Sequence, residues 1–479
     1  MNTIKTDVAI IGAGSAGLNA RREAVKAGKD WVMIESGPFG TTCARVGCMP
    51  SKLLIAAADA AHEVAHARRF GVEVDEGSWR VNAEEVFGRV RSERDRFSGF
   101  VVEDVLELDQ SKIIRGYARF LDQTTLMVDD HTRIEAKAVV VATGSSPFVP
   151  PIFEGIRDRV MINDDVFELN EVPESLAVIG AGVIGLELGQ ALGRLGADVH
   201  VFNIHDRIAF FSDEAVRDVA LEAFSKEMEF SLNIRVTSAT ERDGKIALVW
   251  QDAEGNAHEK LFSHVLVAAG RRPNVTGMGL EDLELPRNAQ GVITTSPCST
   301  QVGDSPIFFA GDVSNHRPLL HEAADEGRIA GYNAARFPEV MVAFRRSKIG
   351  VAFTSPQMGF VGARWEELNP EDVVVGEVSY KNQGRARVML QNEGLVRLYA
   401  DRRNCRLIGG ELLGPRVEHT AHLLTWAIQQ EMRVPDILRM PFYHPVVEEG
   451  IRTALRDLAR KLRVTSHCAP EDFALSPGV

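Results

Sequence analysis

The stretch VAIIGAGSAGLNA, residues 8–20, places a strand-like run directly before three glycines and a helix-like segment. A second stretch, LAVIGAGVIGLEL at residues 176–188, aligns with the first without a gap, so that Gly12 falls on Gly180. The register continues beyond both stretches into a further strand-like run in each copy. The sequence therefore indicates two copies of one unit that reads strand, turn, helix and strand.

The glycines of each copy have the spacing of a dinucleotide-binding turn. They are Gly12, Gly14 and Gly17 in the first copy and Gly180, Gly182 and Gly185 in the second. In such a turn the first glycine makes the bend, the second lets backbone N–H groups approach a pyrophosphate, and the third lets the helix pack close to its strand. One such pattern is weak, but here the flanking strand and helix occur twice. We predict an α/β protein with two Rossmann-like units.

The residue that ends the second strand differs between the two copies. The first copy has Glu35, at the place where an acid would bind the 2′-OH of an adenosine ribose. The aligned residue of the second copy is Asn203, and His205 and Arg207 lie nearby as surface residues or weak phosphate ligands. The first unit therefore fits an adenosine without a 2′-phosphate. The second fits NAD or NADP, with NAD favoured.

Length and charge exclude several classes of protein. The chain of 479 residues is long enough for about three domains. Its net charge of −13 argues against a nucleic-acid partner, which clustered positive charge would bind. The most apolar stretch, residues 176–192, contains Glu187 and several glycines, so we predict no membrane span. No leader-like segment precedes the first strand, and five cysteines do not form a secreted disulfide framework, so we predict a cytoplasmic protein.

Two of the five cysteines lie close together in GTTCARVGCMPSK, residues 40–52. They could be idle, form half of a metal site, or form a working disulfide. A zinc site needs four ligands, and Cys298, Cys405 and Cys468 are isolated from one another, so we predict no metal. Residues five apart on a helix have Cα atoms roughly 8–9 Å apart, whereas a disulfide needs about 4.4–6.8 Å. A bridge would require local unwinding, which Gly47 would ease.

Several motifs together resemble the flavoprotein pyridine-nucleotide disulfide oxidoreductases and, within them, the dihydrolipoamide dehydrogenases. The resemblance covers essentially the whole chain. The motifs that carry it are GAGSAG at 12–17 with Glu35, CARVGC at 43–48 followed by MPSK, ATG at 142–144, GAGVIGLE at 180–187, GRRPN at 270–274, AGD at 310–312 and YHPVVEE at 443–449.

The resemblance implies where two cofactors and a second subunit would bind. It implies a FAD-binding domain at residues 1–150 and 275–345, interrupted by an NAD(P)-binding domain at 151–274, and a C-terminal α+β domain at 346–479 that forms a homodimer. The implied FAD residues are Gly12, Gly14, Gly17, Glu35, Lys52, Thr143, Gly144, Gly311 and Asp312. The implied NAD residues are Gly180, Gly182, Gly185, Asn203 and Gly270.

The resemblance also assigns catalytic roles. Cys43 is implied to be the thiol that exchanges with substrate, and Cys48 the charge-transfer thiolate against the flavin. Lys52 is implied to pair with Glu187 beside the flavin and the nicotinamide. His444 is implied to be the base that acts on the partner subunit's thiols, with Glu449 orienting its imidazole. Since Pro445 suits the first position of a helix, we expect His444 at or beside a helix cap.

The resemblance implies a dihydrolipoyl dehydrogenase that oxidises protein-bound dihydrolipoamide and passes a hydride to NAD⁺. Its partner would be a lipoyl-bearing protein of a 2-oxo-acid dehydrogenase or glycine-cleavage system. The sequence departs from the pattern of many such enzymes at Thr41, Phe442 and Val446. Three alternatives stay open: an NAD(P)H-dependent disulfide reductase, a mercuric-type reductase, and a flavin-binding interaction subunit without turnover. The mercuric alternative needs a vicinal C-terminal cysteine pair, whereas this chain has only Cys468.

Overall fold

The computed structural model describes residues 2–75 and 77–465, so Cys468 lies outside the described residues. The strands, in chain order, are β1 Asn2–Ile11, β2 Trp31–Glu35, β3 Ile113–Arg115, β4 Ala118–Phe120, β5 Thr125–Val128, β6 Thr132–Val141, β7 Ser145–Pro147, β8 Val160–Met161, β9 Ser175–Ile179, β10 Asp198–Phe202, β11 Glu229–Ser231, β12 Arg235–Arg242, β13 Lys245–Gln251, β14 Ala257–Phe262, β15 His264–Val267, β16 Arg271–Pro273, β17 Ile307–Phe309, β18 Ile349–Ala352, β19 Gln357–Gly362, β20 Val373–Ser379, β21 Leu395–Asp401 and β22 Leu407–Gly414.

The α-helices are α1 Ser15–Lys26, α2 Thr42–Val46, α3 Cys48–His66, α4 Ala83–Leu106, α5 Asn163–Val166, α6 Val183–Leu195, α7 Glu214–Phe224, α8 Leu320–Ala334, α9 Gly384–Val388, α10 Val417–Gln429, α11 Val434–Leu438 and α12 Glu448–Thr465. In the part of the chain that the structure describes, no helix has the length and hydropathy that a membrane crossing requires.

The first sheet contains the first glycine motif. Its order is β3-β2-β1-β6-β5-β4, and β17 pairs with β6 on the same sheet. The contacts of β1 with β2 and β6, and of β6 with β17, are parallel, whereas β4 and β5 are antiparallel. Since β17 lies some 165 residues beyond β6 along the chain and still completes this sheet, a second unit is inserted between them.

The inserted unit has its own sheet, ordered β11-β10-β9-β15-β8, in which every pairing is parallel. A smaller antiparallel sheet, β12-β13-β14, lies beside it. Two glycine-turn units of parallel strands and helices confirm the predicted α/β fold class with a repeated Rossmann-like unit.

The C-terminal part folds around an antiparallel sheet ordered β18-β19-β22-β21-β20. Helix α12 packs so closely on β20 that a Cβ at Gly376 would lie 2.5 Å from the carbonyl oxygen of Ala454. Leu398, Leu412, Leu455 and Leu458 belong to the core between these elements and are fully buried. The sheet is antiparallel and helices α10, α11 and α12 follow its last strand, as predicted for an α+β domain.

Two buried polar clusters join the inserted unit to the C-terminal sheet. Glu411 on β22, which is fully buried, accepts hydrogen bonds from the backbone N–H groups of Ser212, Asp213 and Trp365 and from the hydroxyl of Ser212. Asp213, which caps α7, accepts bonds from Arg397 and from the hydroxyl of Tyr399 at 2.9 Å. Each buried carboxylate therefore has the partners that burial of a charge requires.

Helices α1 and α8 lie against each other at nearly backbone distance. A Cβ at Gly327 would lie 2.2 Å from the carbonyl oxygen of Ala16, and a Cβ at Gly331 would lie 2.3 Å from that of Ala20. Real Cβ atoms do not approach a carbonyl this closely, so the two glycines set how near the helices come. This contact holds the helix of the first glycine turn against the chain that follows β17.

We predict that Gly331→Ala lowers the free energy of unfolding by roughly 1–3 kcal/mol, because the added methyl group must push α8 away from α1. The matched control is Gly88→Ala on α4, where no heavy atom lies within 4 Å of the added Cβ. Removing backbone freedom from the unfolded chain should there stabilise the protein by roughly 0.5–1 kcal/mol. Urea unfolding of both variants checks this, and equal effects would contradict the proposed contact.

Candidate active site between the two dinucleotide units

One large cavity of about 1890 Å³ runs between the first unit, the inserted unit and the C-terminal sheet. It exceeds the roughly 300–1,000 Å³ of ordinary small-molecule pockets, so it has room for extended ligands. The predicted site residues that line it are Gly12, Gly14, Glu35, Cys43, Cys48, Lys52, Thr143, Gly144, Gly182, Glu187, Gly270, Gly311 and Asp312. The predicted site residues that do not line it are Gly17, Gly180, Gly185, Asn203, His444 and Glu449.

The two glycine turns have the same geometry. Gly12 has φ +108°, and a Cβ there would lie 2.3 Å from the carbonyl oxygen of Ala142. A Cβ at Gly17 would lie 1.9 Å from the carbonyl oxygen of Gly12, which explains why a helix residue that lines no cavity is a glycine. The second turn repeats both features, with the corresponding distances 2.4 Å at Gly180 and 2.1 Å at Gly185.

The middle glycine of each turn leaves room for a ligand. No heavy atom lies within 4 Å of a Cβ built at Gly14 or Gly182, and both residues line the cavity. Each precedes the first residue of a helix, and no side chain caps that helix. The first N–H groups of α1 and α6 are therefore open to an anion, as a pyrophosphate needs. The residues present fit one dinucleotide at each turn.

Glu35 and Asn203 occupy equivalent positions but are bonded differently. The carboxylate of Glu35 accepts the N–H of Ala13 at 2.8 Å and the N–H of Gly37 at 2.7 Å. Asn203 has its Oδ1 3.4 Å from the N–H of Ala181, and its Nδ2 donates to the carbonyl oxygens of residues 205 and 207. The Glu35 carboxylate can still accept a hydrogen bond from a ribose hydroxyl. The Asn203 amide group is instead used in hydrogen bonds to the backbone of residues 205 and 207.

The nearby arginine of the second unit is paired with an acid. Arg207 contacts Glu366 at 2.6 Å, and both side chains are partly exposed. On the same side of the unit, Arg217 contacts Asp206 at 2.6 Å and Asp218 at 3.0 Å. A 2′-phosphate at this loop would meet cations whose charge is already balanced.

Asp312 is positioned by Ser145 and, through it, by Arg271 of the GRRPN motif. It accepts a hydrogen bond from the hydroxyl of Ser145 at 2.7 Å, and that hydroxyl accepts one from Arg271 at 2.8 Å. Thr143 donates to the carbonyl oxygen of Asn274 at 2.7 Å, while the amide of Asn274 donates back to Thr143 at 2.9 Å. The ATG, GRRPN and AGD motifs thus meet at one edge of the cavity.

Glu326 on α8 fixes the loop before Asp312. It is 1 % exposed, and its Oε2 accepts the N–H of Gly311 at 2.8 Å and the hydroxyl of Ser314 at 3.0 Å. Its Oε1 lies 3.0 Å from Arg345, which balances the buried charge. Glu326 was not predicted as a site residue, because the sequence of a helix does not show which distant loop its side chains contact.

The two cysteines lie on either side of a helix break. Cys43 is in α2, Cys48 is the first residue of α3, and Gly47 between them has φ −128° and ψ −112°, outside the helical region. A Cβ at Gly47 would lie 3.1 Å from the carbonyl oxygen of Thr42 and 3.2 Å from the Cα of Cys43. The expected local unwinding between the two cysteines is confirmed. Because Gly47 has no side chain, α3 can begin close to the backbone of α2.

The two thiols are free and share a hydrogen bond, which makes them chemically unequal. The bond donated by the Cys43 thiol, assisted by the charge of Lys52, lowers the pKa of Cys48 to about 7 even though burial opposes this. The same bond, together with burial, raises the pKa of Cys43 well above that of an ordinary thiol. Cys48 is therefore the thiolate of the pair near neutral pH.

Lys52 and Glu187 form an ion pair across the boundary of the two units. The Nζ of Lys52 lies 2.7 Å from Oε2 of Glu187, and the Glu187 side chain is 5 % exposed. The other carboxylate oxygen accepts the N–H of Phe353 at 2.8 Å, and the ring of Phe353 lies 4.6 Å from the Lys52 ammonium. One turn further along α6, Gln190 bonds both the N–H and the carbonyl of Ser355.

His444 and Glu449 pair as expected, but outside the cavity. Both carboxylate oxygens of Glu449 lie 3.0 Å from Nδ1 of His444, and the His444 side chain is 79 % exposed. The hydrogen bond with His444, then that from the N–H of Val446, lowers the pKa of Glu449. The expectation that Pro445 starts a helix is wrong. Helix α12 begins at Glu448, because residues 444–447 form a turn that the Glu449 carboxylate closes.

Neither Cys298 nor Cys405 lines this cavity. Cys298 is a partly buried free thiol, and Cys405 is fully buried in the C-terminal core. Within the described ranges 2–75 and 77–465, no group of three or more His, Cys, Asp or Glu side chains is arranged to hold a metal ion.

Comparison with family models identifies two matches that together span most of the chain. Residues 6–327 match the model described as pyridine nucleotide-disulphide oxidoreductase. Residues 349–455 match the dimerisation domain of the same family. The second match falls on the antiparallel sheet and the helices that follow it.

Comparison with characterised proteins gives relatives along nearly the full length. The chain is 32% identical over 470 residues to dihydrolipoyl dehydrogenase 3 of Pseudomonas aeruginosa, covering 94% of this chain and 97% of the relative. It is 30% identical over 459 residues to the dihydrolipoyl dehydrogenase of Halobacterium salinarum, covering 94% and 95%.

Solved structures share the fold at lower identity. LpdA from Mycobacterium tuberculosis has a TM-score of 0.79 at 24% identity, covering 95% of this chain and 99% of its own. A Cu(II) complex of the HOCl-induced flavoprotein disulfide reductase RclA from Escherichia coli has a TM-score of 0.79 at 21% identity, covering 96% and 100%. At these identities the likeness concerns the fold.

We predict that the Cys48 thiol of the reduced protein titrates with a pKa of about 7. In Lys52→Met this pKa should rise by roughly 1 unit, because a nearby cation is lost and Glu187 keeps its charge. Thiolate absorbance at 240 nm against pH measures both values, with Cys48→Ser as the blank. A wild-type pKa near 8.5, or no rise in Lys52→Met, would contradict this picture of the thiol pair.

Proposed function

The chain belongs to the pyridine nucleotide-disulphide oxidoreductase family, and we propose that its reaction is that of a dihydrolipoyl dehydrogenase. In this proposal it oxidises a dihydrolipoamide-type dithiol through a Cys43–Cys48 disulfide and delivers the electrons to NAD⁺ through FAD. Full-length relatives that carry this name, at about 30% identity, support the choice of substrate.

One observation carries the proposal. The thiol pair, the Lys52–Glu187 ion pair and the open glycine of each dinucleotide unit all line a single continuous cavity. A sulfur site and two nucleotide sites therefore share one cavity. An interaction subunit without turnover would have no need for a titrating thiol pair at this place.

The unequal pKa values of the thiols indicate how the disulfide would react. A substrate thiolate attacks Sγ of Cys43, the Cys43–Cys48 bond breaks, and Cys48 leaves as a thiolate. The thiol of lower pKa is the better leaving group, and Lys52 stabilises its negative charge. The second substrate thiol then displaces Cys43, so that the substrate becomes a disulfide and the protein becomes a dithiol with both electrons.

The chain's own residues would hold both cofactors. The first glycine turn, Glu35 and the Asp312 loop fit FAD, and the second turn fits a nicotinamide dinucleotide. When bound, these groups supply the transfer of the electron pair from the dithiol to NAD⁺ as a hydride. We propose NAD over NADP because Arg207 is paired with Glu366 and Asn203 offers no positive charge.

His444 would act in the neighbouring subunit. Its exposed position outside the cavity of its own chain fits a base that a homodimer brings to the partner's thiols. Glu449 holds Nδ1, which leaves Nε2 to take the proton of the attacking thiol. In this proposal neither subunit has a complete site by itself.

The substrate arm would belong to a separate lipoyl-bearing protein of a 2-oxo-acid dehydrogenase or glycine-cleavage system. We propose the cytoplasm as the compartment, where the disulfides that occur are usually transient and catalytic. We also propose that the boundaries between the FAD-binding, NAD-binding and C-terminal domains lie at residues 150, 274 and 345.

Steady-state assays of the purified protein test the substrate. We expect turnover with dihydrolipoamide and NAD⁺, and at least tenfold lower kcat/KM when NADP⁺ replaces NAD⁺. Glutathione disulfide with NADPH is the matched rival assay. Turnover only in that second pairing would replace the proposed reaction by disulfide reduction. Flavin reduced by neither dithiol nor NADH would indicate a subunit without turnover.

We predict that His444→Ala lowers kcat for dihydrolipoamide oxidation by roughly 10²–10⁴-fold, the usual worth of a general base, while FAD stays bound. Glu449→Gln should cause a smaller loss of kcat, because the amide oxygen still accepts a hydrogen bond from the imidazole but carries no negative charge. Glu448→Gln changes the neighbouring acid, and should leave kcat near the wild-type value. Equal losses in Glu448→Gln and Glu449→Gln would remove the orienting role of Glu449.

Coexpression of two inactive variants tests whether the base comes from the partner. If the base comes from the partner, a dimer of one His444→Ala subunit and one Cys43→Ser subunit has one complete site. Its other site lacks both Cys43 and His444. Random pairing should restore about a quarter of wild-type activity. No restoration in isolated heterodimers would place His444 at the thiols of its own chain.

A further inference from the structure

The break between the two cysteines leaves a backbone carbonyl without its helical donor. In a continuous helix the carbonyl oxygen of Val46 would accept the N–H of the residue four positions later. That residue is Pro50, which has no N–H. The chain resumes helical hydrogen bonding only with the bond from Ser51 N–H to the carbonyl of Gly47. The Val46 carbonyl must therefore be satisfied from elsewhere.

A side chain of the inserted unit supplies the missing donor. Nδ2 of Asn163 lies 2.7 Å from the carbonyl oxygen of Val46, and the Asn163 residue is 7 % exposed. The same nitrogen donates its other hydrogen to Oδ1 of Asp164 at 2.8 Å, which fixes the direction of the amide. Asn163 begins α5, directly after β8 of the second sheet.

We propose that Asn163 is a positioning residue for the redox pair: by bonding the Val46 carbonyl, it holds the helix break that keeps Cys43 and Cys48 within bonding reach. The inference rests on the proposed function, since it assumes that the two thiols form a disulfide. Without this bond the turn at residues 46–47 can relax, and the two sulfur atoms spend less time in the geometry of a disulfide. Forming the disulfide then becomes less favourable.

The test is the thiol–disulfide equilibrium of the FAD-loaded, full-length protein in mixtures of reduced and oxidised dithiothreitol, without nicotinamide nucleotide. The protein dithiol loses two electrons and two protons as its S–S bond forms. The cyclic dithiothreitol disulfide gains both as its own S–S bond breaks. Acid quenching, alkylation and mass spectrometry of the peptide with both cysteines give the oxidised fraction.

We expect Asn163→Ala to lower the equilibrium constant for disulfide formation about fivefold, a rise in reduction potential of about 20 mV for a two-electron couple. Asn163→Leu fills a similar volume without a donor and should give the same shift, which separates the lost hydrogen bond from an empty cavity. The matched control is Asp165→Ala. It removes the bond from Ile162 N–H at the same helix start but leaves the contact with Val46, and should not shift the equilibrium.

Three results would overturn the inference: an unchanged potential in both Asn163 variants, a shift in Asn163→Ala alone, or an equal shift in Asp165→Ala. The last would assign the effect to α5 in general. Melting temperatures show whether each variant is folded, but a purely structural role of Asn163 would move them without moving the potential. A wild-type protein that forms no reversible Cys43–Cys48 disulfide would instead overturn the proposed function itself.

Discussion

The packing of α3 against α6 is the contact on which the candidate site depends. Helix α3 begins with Cys48, and α6 begins at the second glycine turn. Leu54 and Ala58 of the first helix share one core with Leu188 and Leu192 of the second, and all four are buried. Because apolar burial fixes the two helices side by side, their first turns come together at the same end. There the lysine of one helix reaches the acid of the other.

That arrangement also controls charge at the sulfur atoms. The ammonium of Lys52 favours the Cys48 thiolate, whereas the carboxylate of Glu187 opposes it. Glu187 is held by the backbone of Phe353, and Gln190 holds the same loop two residues further along. The loop between β18 and β19 thus influences the thiol indirectly, because it holds Glu187, and the charges of Glu187 and Lys52 act on Cys48.

Local pattern and long-range contact explain what could be predicted from the sequence. The repeated units were predictable because tight turns and close helix packing dictate glycine at fixed spacings, and the fold confirms them. The helix break at Gly47 followed from the distance that a disulfide needs. Asn163 could not be found in this way, since nothing near position 163 shows that it meets a carbonyl in α2. The start of α12 was misplaced because a proline permits a helix start without requiring one.

Glu326 shows the same limitation for a buried acid, since the loop it fixes lies before its own helix in the chain. The family resemblance identified the AGD motif but not the carboxylate beneath it. Residues such as Asn163 and Glu326, which position a site by long-range hydrogen bonds, are therefore difficult to recognise from sequence motifs.

The clusters around Glu411 and Asp213 have a consequence for how nucleotide enters. They clamp the inserted unit to the C-terminal sheet through several hydrogen bonds made by two buried carboxylates. A hinge movement of the inserted unit would break these hydrogen bonds and expose the carboxylates of Glu411 and Asp213. The nucleotide would therefore enter and leave through a permanently open mouth of the cavity, with rearrangement of side chains only. Little binding free energy would then be used for domain closure around the ligand.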